Sequence, residues 1–511
     1  MLDLESLAAA VREFEGLAPD ARIEVVQTHI SIVVLAPEHV FKLKKPVKLP
    51  FLDFSTPAAR KHACDEEVRL NRRLCPAVYL GVVALHRDAR GLTFHDRGAE
   101  IDSAVRMTRL PAERMLDRLL EHDAVGTTDI EDLARRVADF HKTAERGPAV
   151  VAAGDPRRLA ELMRANFVET AACVGTVFDA TLHTRMAARE RVDSARLLPL
   201  LERRARAGRV VDGHGDLHAR NVCMTEPPAI YDCIEFCAEF RCLDVATENA
   251  FMAMDLRYRG HRELAEAYVR AYVAATGDAE QLVLLPALIR YRALVRAKVA
   301  AIASSEPELS ALDRERAAQS ARRHLRLAAA TALEQDGRTW IAACGPPACG
   351  KSALLELLAR EAGFPLLQSD RIRKELAGVA ATARLPADAY STEWTDRTYD
   401  ALLSRASASP DAVVLLDATW GSRARRDSLR AVAARRGART VFVHLDVPEA
   451  AVRQRLAARA NDPAAISDAD VGVYERFVKT FERPTADEAD VWTFSGTPAL
   501  DHTLDALFAR L

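Results

Sequence analysis

The sequence of 511 residues has almost no net charge, no cysteine pattern of a disulfide scaffold and no long apolar run. Its 71 Lys and Arg are balanced by 73 Asp and Glu, a formal net charge of −2. Such a balance creates no global field that would draw the chain to nucleic acid or to an anionic membrane surface. Nine cysteines, an odd number scattered over a long chain, do not make a disulfide framework. Cys223, Cys233, Cys237 and Cys242 lie close in sequence but contain no Cys-x-x-Cys pair, so they read as buried thiols rather than zinc ligands. No apolar stretch approaches the roughly 20 residues that span a bilayer. The opening Met1-Leu-Asp-Leu-Glu5 is acidic where a signal peptide is basic, so a cytoplasmic location is expected, with no membrane partner.

What is present is the composition of an ordinary folded protein, 49% hydrophobic and 28% charged. The chain is too long for one core, because cores stop growing near roughly 250–300 residues. At least two domains are expected. β-type runs occur at Ile30–Leu35, Val40–Lys44 and Tyr79–Leu85. Between the last two, Thr56 can cap and Pro57 can open a helix whose Ala63, Glu67, Leu70 and Leu74 share one face. From about Met115 to His324 the pattern is helical, broken by a strand-like region between Val210 and Asp244. A charged helix over Leu309–Asp336 ends at the turn signal Asp336-Gly337. Apolar strands then alternate with helices, which predicts a parallel sheet. The expected domains are residues 1–335 (small lobe about 1–110, helical lobe about 111–308, linking helix about 309–335) and residues 336–511.

The segment His214-Gly-Asp-Leu-His-Ala-Arg-Asn221 has the spacing His-x-Asp-x4-Asn. In kinase catalytic loops this spacing sets an Asp beside the attacking hydroxyl and an Asn one short turn later on a metal ion. Asp216 is the candidate base and Asn221 a candidate metal ligand. Asp232, in Ile230-Tyr-Asp-Cys-Ile-Glu235, is the second candidate ligand for Mg2+. A strand lysine must hold the ATP phosphates and a helix glutamate must hold the lysine. Lys42 and Lys44 alternate on one strand face, and Glu67 would be costly unpaired on its apolar helix face. Glu67 therefore pairs with Lys42 or Lys44, and the sequence does not choose. His141 reads as a packing histidine.

These residues resemble the aminoglycoside phosphotransferase group, relatives of protein kinases with the same two-lobed α+β fold. The resemblance implies that His214–Asn221 is the catalytic loop, that Asp232 binds the metal and that Asp244 braces the loop. A Gly-x-Gly-x-x-Gly is missing, with Thr28-His-Ile-Ser31 standing where the phosphate-covering turn belongs. Acceptance of cationic aminoglycosides would need an acidic pocket, for which Glu235, Glu239 and Asp255 are the available residues.

The second half contains Gly345-Pro-Pro-Ala-Cys-Gly350-Lys351-Ser352 between a strand and a helix. Backbone N–H groups of such a loop close on phosphate oxygens, Lys351 reaches the β/γ-phosphates and Ser352 binds Mg2+. Asp417 ends a later strand as the usual metal-side carboxylate, with Ala418 where hydrolases place a water-activating Glu, so transfer is favoured over hydrolysis. Asp370, after the strand Phe364–Gln368, is the candidate base and Arg373 the contact to an anionic substrate or to the phosphoryl group. Alternatively, Asp370 only caps a helix and Arg373 is solvated. Arg455 and Arg459, one turn apart, either close over the phosphates or decorate a surface helix. This α/β P-loop NTPase region resembles zeta-toxin-like and polynucleotide kinases.

The order of the two halves, with Phe51-Leu-Asp-Phe-Ser-Thr56 and Leu70-Asn-Arg-Arg-Leu74, is similar to a bacterial family that fuses an aminoglycoside-phosphotransferase-like domain to an AAA-type P-loop kinase. The expected function is ATP-dependent phosphoryl transfer to small-molecule hydroxyls at two sites. The alternative is one kinase with a nucleotide-binding regulatory module. Charge gives no support to a polynucleotide acceptor for the C-terminal half, though that class stays open.

Overall fold

A computed structural model describes residues 3–49, 52–380, 382–383, 385–459 and 470–511. Phe51 and the side chain of Arg459 lie outside the described residues. The chain forms two compact units, residues 1–163 with 192–289, and residues 164–191 with 290–511.

The first unit opens on a six-stranded antiparallel sheet in the order Glu24–Gln27, Ser31–Leu35, His39–Lys44, Ala99–Thr108, Tyr79–Asp88, Gly91–Thr93. Helix Pro57–Asn71 packs on it, and Thr56 caps that helix by accepting the Ala59 N–H at 3.2 Å. The glycine-free turn before Ser31 is tight. Thr28 N–H donates to Ser31 O at 2.9 Å, and Ser31 N–H donates back to the Thr28 hydroxyl at 3.0 Å. The helical lobe follows, with Ile130, Leu133, Ala134 and Val137 of helix Thr127–Thr143 forming a buried stripe of helical period. Short strands Val210–Asp212 and Cys242–Asp244 pair antiparallel, and the loop His214–Asn221 follows the first of them. This is the two-lobed α+β fold of protein-kinase-like enzymes.

The second unit is built on a five-stranded parallel sheet in the order Leu366–Gln368, Val413–Asp417, Thr339–Cys344, Arg439–Asp446, Val491–Ser495. Thr339–Cys344 lies centrally and is buried throughout, as expected of a parallel strand covered on both faces. Helix Ala311–Gln335, read from sequence as a link closing the first domain, shares the packing of this unit. Its buried Arg326 donates to Asp505 at 2.6 Å, Asp501 at 2.8 Å and Glu361 at 3.0 Å. A buried guanidinium needs such partners to offset its desolvation.

Among the described residues no helix is long and apolar enough to cross a membrane. Cys223, Cys233 and Cys242 are buried free thiols and Cys237 is half-buried.

Candidate active sites

Strand His39–Lys44 places Lys42 and Lys44 two residues apart, so both ammonium groups leave the same sheet face toward helix Pro57–Asn71. Glu67 meets them both. Lys42 Nζ donates to Glu67 Oε1 at 2.8 Å, and Lys44 Nζ to Glu67 Oε2 at 2.5 Å. Each lysine also reaches an acid of the segment Asp232–Glu235, Lys42 to Asp232 Oδ1 at 2.5 Å and Lys44 to Glu235. The two are not equivalent, because the side chain of Lys42 is 15% exposed and that of Lys44 is 0% exposed. Burial alone would push the Glu67 carboxyl up, yet the charges of Lys42 and Lys44 hold it down to about 2. Burial opposes the charge on Lys42, and Asp232 and Glu67 outweigh it to raise that ammonium well above its ordinary range.

The His214–Asn221 loop leaves strand Val210–Asp212 and is held by helix Val245–Tyr258. His214 N–H donates to Glu248 Oε1 at 2.5 Å, and Gly215 N–H donates to the same oxygen. His141 Nε2 donates to Glu248 at 2.7 Å and its Nδ1 accepts from Tyr272 at 2.8 Å, so this histidine packs and braces the loop from inside. Asp255 accepts the Ala219 N–H at 2.9 Å farther along the loop. The brace expected at Asp244 is therefore supplied by Glu248 and Asp255. Asp244 instead caps the helix through Ala246 N–H and pairs with buried Arg204 at 2.8 Å. Burial lowers the His214 pKa, and its Nε2–H donates to Tyr231 O at 2.9 Å while Nδ1 accepts from Asp216 N–H at 3.3 Å.

Asn221 is brought back to Asp216 by the short turn Ala219–Asn221. Its Nδ2 donates to Asp216 O at 3.0 Å and to Oδ2 at 3.1 Å, which leaves the amide oxygen as the end able to take a cation. Asn221 O also accepts from Tyr231 N–H at 3.0 Å, bringing the Asp232 segment alongside. Asp232 adopts φ +62°, held by Asp232 N–H to the Tyr79 hydroxyl at 3.2 Å and Cys233 N–H to Asn71 Oδ1 at 2.9 Å. Its side chain is 43% exposed and presents a carboxylate to the cleft. No group of three or more His, Cys, Asp or Glu poised around a metal occurs among the described residues. The donors Asp232 and Asn221 are hard oxygens and few, which fits Mg2+ completing its shell with phosphate oxygens and water.

The acidic pocket imagined for cationic acceptors is not assembled from the residues named for it. Glu235 is buried against Lys44, and Asp255 is buried with Ala219 and Arg259. Only Glu239 is open, at 3.4 Å from Arg158.

In the second unit Gly345 at φ +137° and Gly350 at φ +111° bound the loop that opens helix Lys351–Ala362. Ala348 is also left-handed, at φ +61°. Lys351 is buried and its Nζ donates to Pro346 O at 2.7 Å. Arg455 is exposed and donates to Cys349 O at 2.9 Å, which ties it to the loop. Register pairs Ala343 and Gln368 with Asp417, so the strand ends bring the Gly345–Ser352 loop, Asp370 and Asp417 to one edge. Burial raises the Asp417 carboxyl, Lys351 opposes it and nearby Asp370 adds to the rise.

Asp370 stands in the first turn of helix Ser369–Leu376, which has no side-chain cap, so it is not spent on capping. Arg373 is buried, donates to Ala389 O at 2.7 Å and stacks over the Tyr390 ring at 4.9 Å. Trp420, which sequence reasoning passed over, is fully buried at φ +46° just past Asp417, its N–H donating to the Tyr399 hydroxyl at 3.2 Å. A bulky residue in that conformation is strained and persists only where packing enforces it.

The AAA domain family matches residues 340–484. Over 448 residues, 86% of each chain, the sequence is 30% identical to uncharacterized protein Rv2004c of Mycobacterium tuberculosis and, equally, to uncharacterized protein Mb2027c of Mycobacterium bovis. Among solved structures, the GDP complex of aminoglycoside 2'-phosphotransferase-IIIa shares 12% identity, covering 63% of this chain and 99% of that one at a TM-score of 0.41. A gluconokinase from Sinorhizobium meliloti shares 20% identity, covering 34% of this chain and 92% of that one at a TM-score of 0.25. The chain belongs to the family of these mycobacterial proteins, and an AAA domain spans its residues 340–484.

Proposed function

We propose that the protein is an ATP-dependent phosphotransferase with two separate sites, each moving the γ-phosphoryl group of ATP to a hydroxyl of a small-molecule acceptor. The observation that carries the reading is the convergence of Lys42, Glu67, Asp216, Asn221 and Asp232 from four separate stretches of the first unit. In the first site Lys42 holds the α- and β-phosphates and Glu67 fixes Lys42. Asp216 accepts the proton of the acceptor hydroxyl, and Asn221 keeps its carboxylate turned to the cleft. In the second site the Gly345–Ser352 backbone cradles phosphates, Lys351 and Arg455 neutralise them and Asp370 takes the hydroxyl proton. Asn221 with Asp232, and Ser352 with Asp417, would hold Mg2+, which when bound offsets charge on the transferring phosphoryl group.

A second reading makes the P-loop unit a nucleotide-binding regulatory module. It is favoured by Arg373, whose guanidinium is occupied by Ala389 and Tyr390 rather than offered to an acceptor. ADP release by the full-length protein should depend on added acceptor at both sites. Asp216→Asn should remove the first-site share while MgATP binding persists. Full-rate ATP hydrolysis without any acceptor would sink the transfer reading.

A further inference from the structure

The second buried lysine is not needed to hold phosphates. Lys44 is 0% exposed, yet it is charged and spans Glu67 on the helix and Glu235 on the segment that begins with Asp232. Leu52, Phe54 and Ala63 with Phe236 form an apolar cluster around it, and the Phe54 ring lies 5.7 Å from the ammonium. Buried ion pairs are poor sources of stability, since desolvation consumes most of what attraction supplies. One attested use of such a pair is to fix a particular geometry.

That geometry is the stretch Asp232–Glu235. Asp232 has φ +62°, a conformation a non-glycine residue does not hold unaided. The start of the stretch is fixed by Tyr79 and Asn71, and its middle by Ile234 N–H donating to His214 O at 3.1 Å. Its far end is fixed by Glu235 on Lys44. Lys44 is one strand repeat from Lys42, so the same strand sets the phosphate lysine and the far anchor of the metal carboxylate.

We propose that Lys44 and Glu235 are a positioning pair that holds the Asp232 carboxylate where the metal–nucleotide complex is taken up. The proposal rests on the phosphotransferase reading of the first site. It assigns Lys44 to the metal carboxylate rather than to the nucleotide.

The test uses full-length protein carrying Lys351→Ala to silence the second site, with ATP binding titrated against Mg2+ and, separately, in EDTA. Lys44→Met and Glu235→Gln should each raise the Mg2+ midpoint about 10-fold, the usual cost of losing an outer-shell partner, and leave affinity for metal-free ATP unchanged. Lys44→Arg should restore most of the midpoint. Amides 232–236 should exchange faster in the nucleotide-free variants than in their parent. If a single variant does not fold, the double Lys44→Met/Glu235→Gln removes both charges together and is read in the same way. An unchanged Mg2+ midpoint in folded variants, or an equal loss of metal-free and Mg2+-bound affinity, overturns the positioning role. A Lys351→Ala parent that binds no MgATP overturns the phosphotransferase reading of the first site as well.

Discussion

A buried carboxylate must find a cation or hydrogen-bond donors, and that requirement made Glu67 legible before any fold was known. The same logic applies to Glu248 and Asp255, which interrupt the apolar run of Val245–Tyr258. Sequence reasoning looked for the brace at Asp244 and named Asp255 only for an acidic pocket, because the loop contacts of Glu248 and Asp255 are to backbone amides, which leave no charge signature. Burial would raise the Glu248 carboxyl, but His141 and the loop amides hold it at about 2 against an ordinary 4.5. Its folded-state pKa is depressed, so its stabilisation is present above about pH 4.5 and is lost as pH falls through about 2. Glu248→Gln should therefore cost up to about 3 kcal/mol at pH 7 and progressively less toward pH 2, read by denaturant melts of the first unit. At Asp216 the expected loss is catalytic, with Asp216→Asn slowing first-site transfer by about 10² to 10⁴ in single-turnover assays while melting is unchanged. Which lysine pairs with Glu67 was undecidable from alternation alone, and the answer is both.

Elements whose signals are local were read closely. The helix that presents Glu67 follows from its Thr56 cap, its Pro57 and its spacing, and Thr56→Ala should cost about 1 kcal/mol in thermal melts. Strand Ala99–Thr108, central to the same sheet, was not legible. Its inward Asp102 breaks the apolar alternation and is satisfied by Arg60, 42 residues earlier, at 3.0 Å and by the Ser103 N–H at 2.9 Å. Strand Val491–Ser495 is short and at the sheet edge, and its half-exposed residues resemble a loop. The His214–Asn221 loop stood out by its spacing, but its shape depends on Gly215 at φ +85°, where a Cβ would meet Phe240 O at 2.7 Å. Gly215→Ala should destabilise the first unit by more than about 1 kcal/mol, and its loss of activity should track unfolding in parallel melts.

For the whole molecule, the order of motifs along the chain marked out two different folds, one with an antiparallel sheet, the other with a parallel one. Packing units were less visible, since helix Ala311–Gln335 joins the P-loop unit through buried charges that periodicity cannot reveal. Two sites on unrelated folds predict two independent chemistries. Nucleotide binding should fall from two MgATP per chain to one in Lys351→Ala, counted by equilibrium dialysis. The most direct measurement is a mass-spectrometric screen of a hydroxyl-metabolite library incubated with ATP and full-length protein, either wild type, Asp216→Asn or Asp370→Asn. The account predicts that each variant loses a different set of phosphorylated products. Loss of every product in Asp216→Asn with no change in Asp370→Asn would contradict it and leave the P-loop unit without a transfer reaction.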